Sequence, residues 1–152
     1  MSLKEEVDIL RNIPLFAHIA PSKLKLLAFT SERLVFHADQ VLFHQGEPGD
    51  AAYIVLKGEA DVIVDSPTGP LTVARLGHND IVGEIAILCD VPRTATVKAV
   101  TELVTLRISK ELFFRLIVEF PQIGIEIMRV LAERLENTTI QLREALTKVV
   151  AG

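Results

Sequence analysis

Residues 82–97, VGEIAILCDVPRTATV, decide how this chain is read. The stretch opens on Gly83-Glu84, runs apolar, turns at Asp90-Val91-Pro92 and closes on Arg93-Thr94-Ala95-Thr96. Glu84 and Arg93 stand nine positions apart and bracket one apolar turn, which an ordinary core segment does not need. Gly83 permits an unusual dihedral or a close backbone approach. EIAILC predicts about one and a half turns of helix, and the free N–H groups at its start favour an anion. Arg93, following the proline turn, can fold back onto that anion with its guanidinium fork. The Glu84 carboxylate only accepts hydrogen bonds, so a sugar hydroxyl suits it as a donor. One short segment is therefore equipped to hold a sugar and a phosphate together.

Upstream of this segment, RLVFHADQVLFHQGEPGDAAYIVLKGEADVIVD is a string of short β-branched and aromatic runs cut by Gly46, Pro48, Gly49 and Gly58. A turn at 66–70, SPTGP, and the runs LTVARLGHND, TATVKAV and LVTLRI continue the pattern to residue 108. Short strands at such spacing predict a small barrel or jelly roll. Before Arg33 the period is helical: LKEEVDILR over 3–11, then a helix beginning at Pro21-Ser22. After 108, Ser109 is an N-cap candidate and Pro121 ends one helix or begins the next. From Gln122 to about Val149 only Gly124 interrupts, giving ~40 Å of helix at 1.5 Å per residue. Positions 128, 131, 135, 138, 142, 145 and 149 carry Met, Leu, Leu, Thr, Leu, Ala and Val. Steps of three and four predict a coiled-coil seam and a homodimer, with Thr138 as a polar position inside it. A helix packed on its own barrel is the competing reading.

The 152 residues suffice for one domain with a real core. Apolar residues make up 49% and charged residues 24%, the balance of a soluble globular chain. A net charge of −4 gives no basic footprint, so no nucleic-acid partner is expected of this chain. No apolar run reaches membrane-span length, and no signal sequence opens the chain. One cysteine, Cys89, excludes an internal disulfide and suggests a reducing, cytoplasmic setting. The scattered histidines 18, 37, 44 and 78 show no metal-ligand spacing.

GEIAILCDVPRTATV resembles the phosphate-binding cassette of the cyclic nucleotide-binding domain family, Gly-Glu-x-Ala-Leu followed by Pro-Arg-x-Ala-Thr-Val. QGEPGDAAYIVLKGEADV resembles the family's second hallmark, a glycine-rich turn followed by Tyr-x-Val-x-x-Gly. The resemblance runs from about Ile13 to Leu146. It implies an α+β fold: an eight-stranded β jelly-roll barrel flanked by N-terminal helices and a long C-terminal helix. A single domain over 1–152 is expected, with N-terminal helices in 1–32, the barrel in 33–108 and C-terminal helices in 109–149. The ligand implied is cAMP or cGMP, with no cofactor and no metal. Gly83, Glu84, Ile85, Ala86, Arg93 and Thr94 are the cassette's expected ligand-binding positions. Glu84 would accept from the ribose 2′-OH, Gly83 would lie against the ribose, and Arg93 would pair with the cyclic phosphate. The N–H groups of Ala86 and Thr94 would add donors. Asp61 falls where the regulatory subunits of cAMP-dependent kinases have an aspartate that orients the arginine, and Ile87 would couple the cassette to the C-terminal helices. The aromatic usual before Gly-Glu is Val82 here.

LAERLENTTIQL resembles the dimer helix of the bacterial catabolite activator family, where adjacent hydroxyl residues meet the adenine, one from each protomer. They match Thr138 and Thr139. A hydroxyl directly after the cassette arginine, Thr94 here, is compatible with a syn guanine in the wider family, but the threonine pair favours cAMP. The helix-turn-helix that follows in the activators has no counterpart before LTKVVAG, and MSL and the terminal AG have the look of added ends. The expected role is a non-enzymatic regulatory sensor whose C-terminal helix shifts on binding. Two alternatives compete: a dimerisation or docking module with a vestigial site, and a cupin-type metalloenzyme, which would need clustered histidines.

Overall fold

Helical sequence gives way to strand sequence at the residues where the period changes. The computed structural model describes residues 2–151; Met1 and Gly152, included in the expected domain, lie outside the described residues. Helix α1 (Leu3–Arg11) begins at Ser2, whose hydroxyl accepts from Glu5 N at 3.2 Å. Pro14 then opens a 3-10 turn, Pro14–Phe16, and Pro21 starts α2 (Pro21–Thr30), where its missing N–H removes no helical bond.

The strands are β1 (Glu32–Phe36), β2 (Val41–Phe43), β3 (Ala51–Lys57), β4 (Ala60–Ser66), β5 (Gly69–Leu76), β6 (Ile81–Val82), β7 (Thr96–Ala99) and β8 (Leu103–Ser109). The eight strands form the expected jelly roll, as two open four-stranded sheets. Their orders are β1-β8-β3-β6 and β2-β7-β4-β5. Between β6 and β7 lies the short helix α3 (Glu84–Leu88).

Strand β3 explains how the layers are held. Six of its seven residues are buried, because both of its faces are covered. Ala51, Tyr53 and Val55 pack between the sheets with Phe43, Ala60, Leu76, Val97 and Leu103. Ala52, Ile54 and Leu56 face the helices, joining Leu10, Phe16, Leu24, Phe113 and Ile127. Alternate residues thus serve two cores, as the period of a strand dictates. The cassette enters the second of these cores through Ile87, which is 1% exposed and shares it with Ile123 and Ile127.

Helix α4 (Lys110–Glu119) starts at Ser109, whose Oγ accepts from Leu112 N at 3.2 Å. Helix α5 (Pro121–Ala151) follows after Phe120. A Cβ at Gly124 would come within 3.3 Å of Ile117 Cγ2, so this glycine sits where α5 lies close against α4. Ile123 and Ile127 are buried and Leu131 partly so. From Leu135 to Val150 every side chain is exposed, including Leu135, Leu142 and Val149 of the expected seam.

Candidate ligand-binding site

The site is built on the junction between β6 and α3. Gly83 takes φ +89° and ψ 0°, a left-handed conformation that an L side chain resists, and it caps α3. A Cβ there would also lie 2.6 Å from Arg93 Nη1 and 3.1 Å from the Ala51 carbonyl. The glycine therefore serves two needs: the turn into the helix and the room for the arginine.

Arg93 returns to this junction from the far end of the cassette. Its Nη1 donates to the Gly83 carbonyl at 2.9 Å and its Nη2 to the Ala51 carbonyl at 2.8 Å. Its guanidinium lies 4.0 Å above the centroid of the Phe43 ring, which adds a cation–π contact. The main chain is pinned as well: Arg93 N donates to Glu47 O at 2.8 Å, and Gly46 N donates to Arg93 O at 2.9 Å. The glycine-rich turn 46–50 is thereby tied to the cassette. Gly49 lies so near α3 that a Cβ on it would collide with Ala86 Cβ. Arg93 is only 3% exposed, and burial is the main influence pulling its pKa down, opposed by Tyr53, Asp50 and Glu47. Its Nε is buried and finds no hydrogen-bond partner among the described residues.

Glu84, the first residue of α3, is 1% exposed. Its Oε1 accepts from Arg134 Nη1 at 2.7 Å, and Arg134 Nη2 donates to the Ile81 carbonyl at 2.6 Å. One guanidinium on α5 therefore clamps both ends of the β6–α3 junction. Burial pushes the Glu84 pKa up, with Arg134 and then Arg93 opposing.

Gly83, Glu84, Ala86 and Arg93 thus meet at one place, with Ala86 buried on α3. Ile85 and Thr94 are exposed at its edge. Thr138 and Thr139 lie one turn beyond Arg134 on α5, exposed, with their hydroxyls donating to Arg134 O at 2.9 Å and Leu135 O at 2.8 Å. Asp61 requires a correction. It was expected to orient Arg93, but it stands opposite Arg75 in the β4–β5 ladder and accepts from Arg75 Nε at 2.9 Å. The carboxylate beside Arg93 is Asp50, with Oδ1 3.5 Å from Nη2. Sequence reasoning also missed Arg134, although it stands four residues before Thr138, one helical turn away. Among the described residues, no three His, Cys, Asp or Glu side chains gather to hold a metal, and no helix is long and apolar enough to cross a membrane.

Comparison with known proteins points the same way as the geometry. The family model described as "Cyclic nucleotide-binding domain" matches residues 33–120. A CRP-like cAMP-activated global transcriptional regulator of Mycobacterium tuberculosis is 29% identical over 146 residues, 95% of this chain and 65% of the regulator. Lysophospholipase NTE1 of Phaeosphaeria nodorum is 34% identical over 118 residues, which are 77% of this chain and 8% of that enzyme. The chain therefore spans less than two thirds of either relative. Among solved structures, the catabolite activator protein of Thermus thermophilus superposes with a TM-score of 0.76 at 28% identity, over 85% of this chain and 61% of that one.

Proposed function

The chain belongs to the cyclic nucleotide-binding domain family, and from that premise we propose that it is a sensor which binds cAMP in preference to cGMP and passes occupancy to α5. One observation supports this above the others: Arg93 is a desolvated cation whose Nε has no partner among the described residues, beside the first turn of a helix. A buried charge with a spare donor is costly unless an anion completes it. Asp50, 3.5 Å from Nη2, leaves Nε unmet, and a cyclic phosphate would supply an anionic acceptor for it. Its ribose 2′-OH donates to Glu84, and the N–H groups at the start of α3 and at Thr94 complete the phosphate's shell.

The preference for adenine is supported by the threonine pair. Thr138 and Thr139 each spend their hydrogen on a carbonyl of their own helix, so only lone pairs remain to face a ligand. An acceptor suits the exocyclic amino group of adenine. Arg134 gives the route to α5, because the ribose hydroxyl and this guanidinium compete for the Glu84 carboxylate. The role is binding rather than catalysis, in a homodimer joined along the exposed seam of α5, in the cytoplasm.

Calorimetry of the purified chain with cAMP and with cGMP tests the proposal. Heat with both and a lower Kd for cAMP is expected. Arg93→Lys should weaken cAMP binding by about ten- to a hundredfold, since hydrogen bonds to charged groups are worth about 1.5–3 kcal/mol and the fork is lost. No heat with either nucleotide at high micromolar concentration would favour the second reading, a dimerisation or docking module with a vestigial site. That reading draws on the same ion pair: Arg134 already satisfies Glu84.

A further inference from the structure

Arg93 shares its carboxylate partner with a second arginine. Asp50 Oδ1 lies 3.5 Å from Arg93 Nη2, and Oδ2 of the same group accepts from Arg107 Nη2 at 3.1 Å. One carboxylate bridges two guanidinium groups in unlike surroundings. The Arg93 side chain is 2% exposed, that of Arg107 26% and that of Asp50 72%. The contact to Arg107 has hydrogen-bond length, and the one to Arg93 is longer than a good hydrogen bond.

Both holders of this carboxylate are fixed by the fold. Asp50 closes the glycine-rich turn, and its own carbonyl accepts from Lys110 N at 2.9 Å. Arg107 sits in the middle of β8, opposite Tyr53 on β3 and Glu32 on β1. Its Nη1 is 3.8 Å from Glu32 Oε2. Around Arg93, the Gly83 and Ala51 carbonyls take one donor from each terminal nitrogen, and Nε has no partner among the described residues. A guanidinium has five N–H donors in all. The donors left for an incoming anion are therefore Nε and those not given to carbonyls, and Asp50 stands against one of the two terminal nitrogens.

We infer that Asp50 is a resident counter-ion of Arg93, surrendered to Arg107 when a ligand phosphate arrives, and that Arg107 is a positioning residue for anion binding. The inference rests on the nucleotide reading of this site. Exchanging one carboxylate for one phosphodiester, each singly charged, leaves the charge around the buried arginine unchanged. The displaced carboxylate would still repel the phosphate at close range. Arg107 removes that repulsion by neutralising Asp50 and holding it on the solvent side of the turn. Without Arg107, Asp50 turns wholly to Arg93 and competes with the ligand.

The experiment is a titration of four proteins with cAMP: wild type, Asp50→Asn, Arg107→Gln and the double variant, with Arg107→Lys as a charge-retaining control. Asp50→Asn should tighten binding about threefold, the order of effect an exposed ion pair exerts. Arg107→Gln should weaken it by a similar factor, Arg107→Lys should recover most of the loss, and the double variant should match Asp50→Asn. An equal loss from Arg107→Gln in both backgrounds would overturn the inference, as would weaker binding by Asp50→Asn. The side-chain Nε resonance of Arg93, followed during titration with inorganic phosphate, separates the two proposals. A phosphate-induced shift that grows tighter in Asp50→Asn, with no binding of either nucleotide, sinks the nucleotide reading and keeps the counter-ion exchange. No shift with phosphate in any variant overturns the exchange itself.

Discussion

Glu84 holds an ionisable carboxylate at 1% exposure, with Arg134 on one oxygen. Burial favours the neutral acid and raises its pKa, while Arg134 pulls the other way without prevailing. The folded protein therefore binds this proton more tightly than the unfolded chain does. Its contribution to stability is complete below the ordinary glutamate pKa and is lost as pH rises through the raised value. Glu84→Gln titrates nothing, so the Tm of wild type minus that of the variant should fall as pH rises from below the ordinary glutamate range through the raised Glu84 value. A flat difference would show that Glu84 titrates alike in the folded and unfolded states. At this scale the sequence was legible where one segment brings its own residues together: Gly83 and Arg93 of the cassette motif do meet, with Glu84 beside them at the start of α3. It was not legible where partners come from elsewhere. The partner of Asp61 is set by ladder register, which places Arg75 opposite it. Arg134 reaches Glu84 across 50 residues of chain.

Helix α5 changes character along its length. Its first turns bury Ile123 and Ile127 against the domain, but from Leu135 to Val150 every side chain is exposed. Met128, Leu135, Leu142 and Val149 recur every seventh residue and remain exposed, and burying a leucine side chain fully is worth about 1.5–3 kcal/mol. A second copy of the helix would recover that area, in the manner of a coiled coil. Leu142→Glu should weaken self-association at least about tenfold, read by sedimentation equilibrium, while the melting of the jelly roll stays close to wild type. An unchanged association constant would place the interface elsewhere. Element boundaries were largely legible because they carry local chemistry, such as the Ser109 cap and the prolines at 21 and 121. The order of strands within the two sheets was not, since alternation along a strand tells which face is buried but not which strands pair.

Across the whole molecule, the Arg134 guanidinium joins the cassette to the helix that leaves the domain. If it carries occupancy outward, cAMP should alter amide hydrogen exchange in α5, and Arg134→Gln should abolish most of that alteration while leaving exchange in β3 and β8 as it was. A full response in the variant would assign the coupling to another contact, with Ile87 and its apolar neighbours the next to test. The similarity to a lysophospholipase over 8% of its length and to a transcriptional regulator over 65% shows one module set in chains of very different size. The α5 clamp has a thermodynamic corollary. Free-energy coupling between two sites is reciprocal, so if occupancy shifts the helix as proposed, whatever pulls or anchors the helix changes affinity at the cassette by the same factor. Sensitivity is then not encoded by the binding residues alone. The load on the helix acts as a tuning weight, and identical pockets carrying different loads would respond at different nucleotide concentrations.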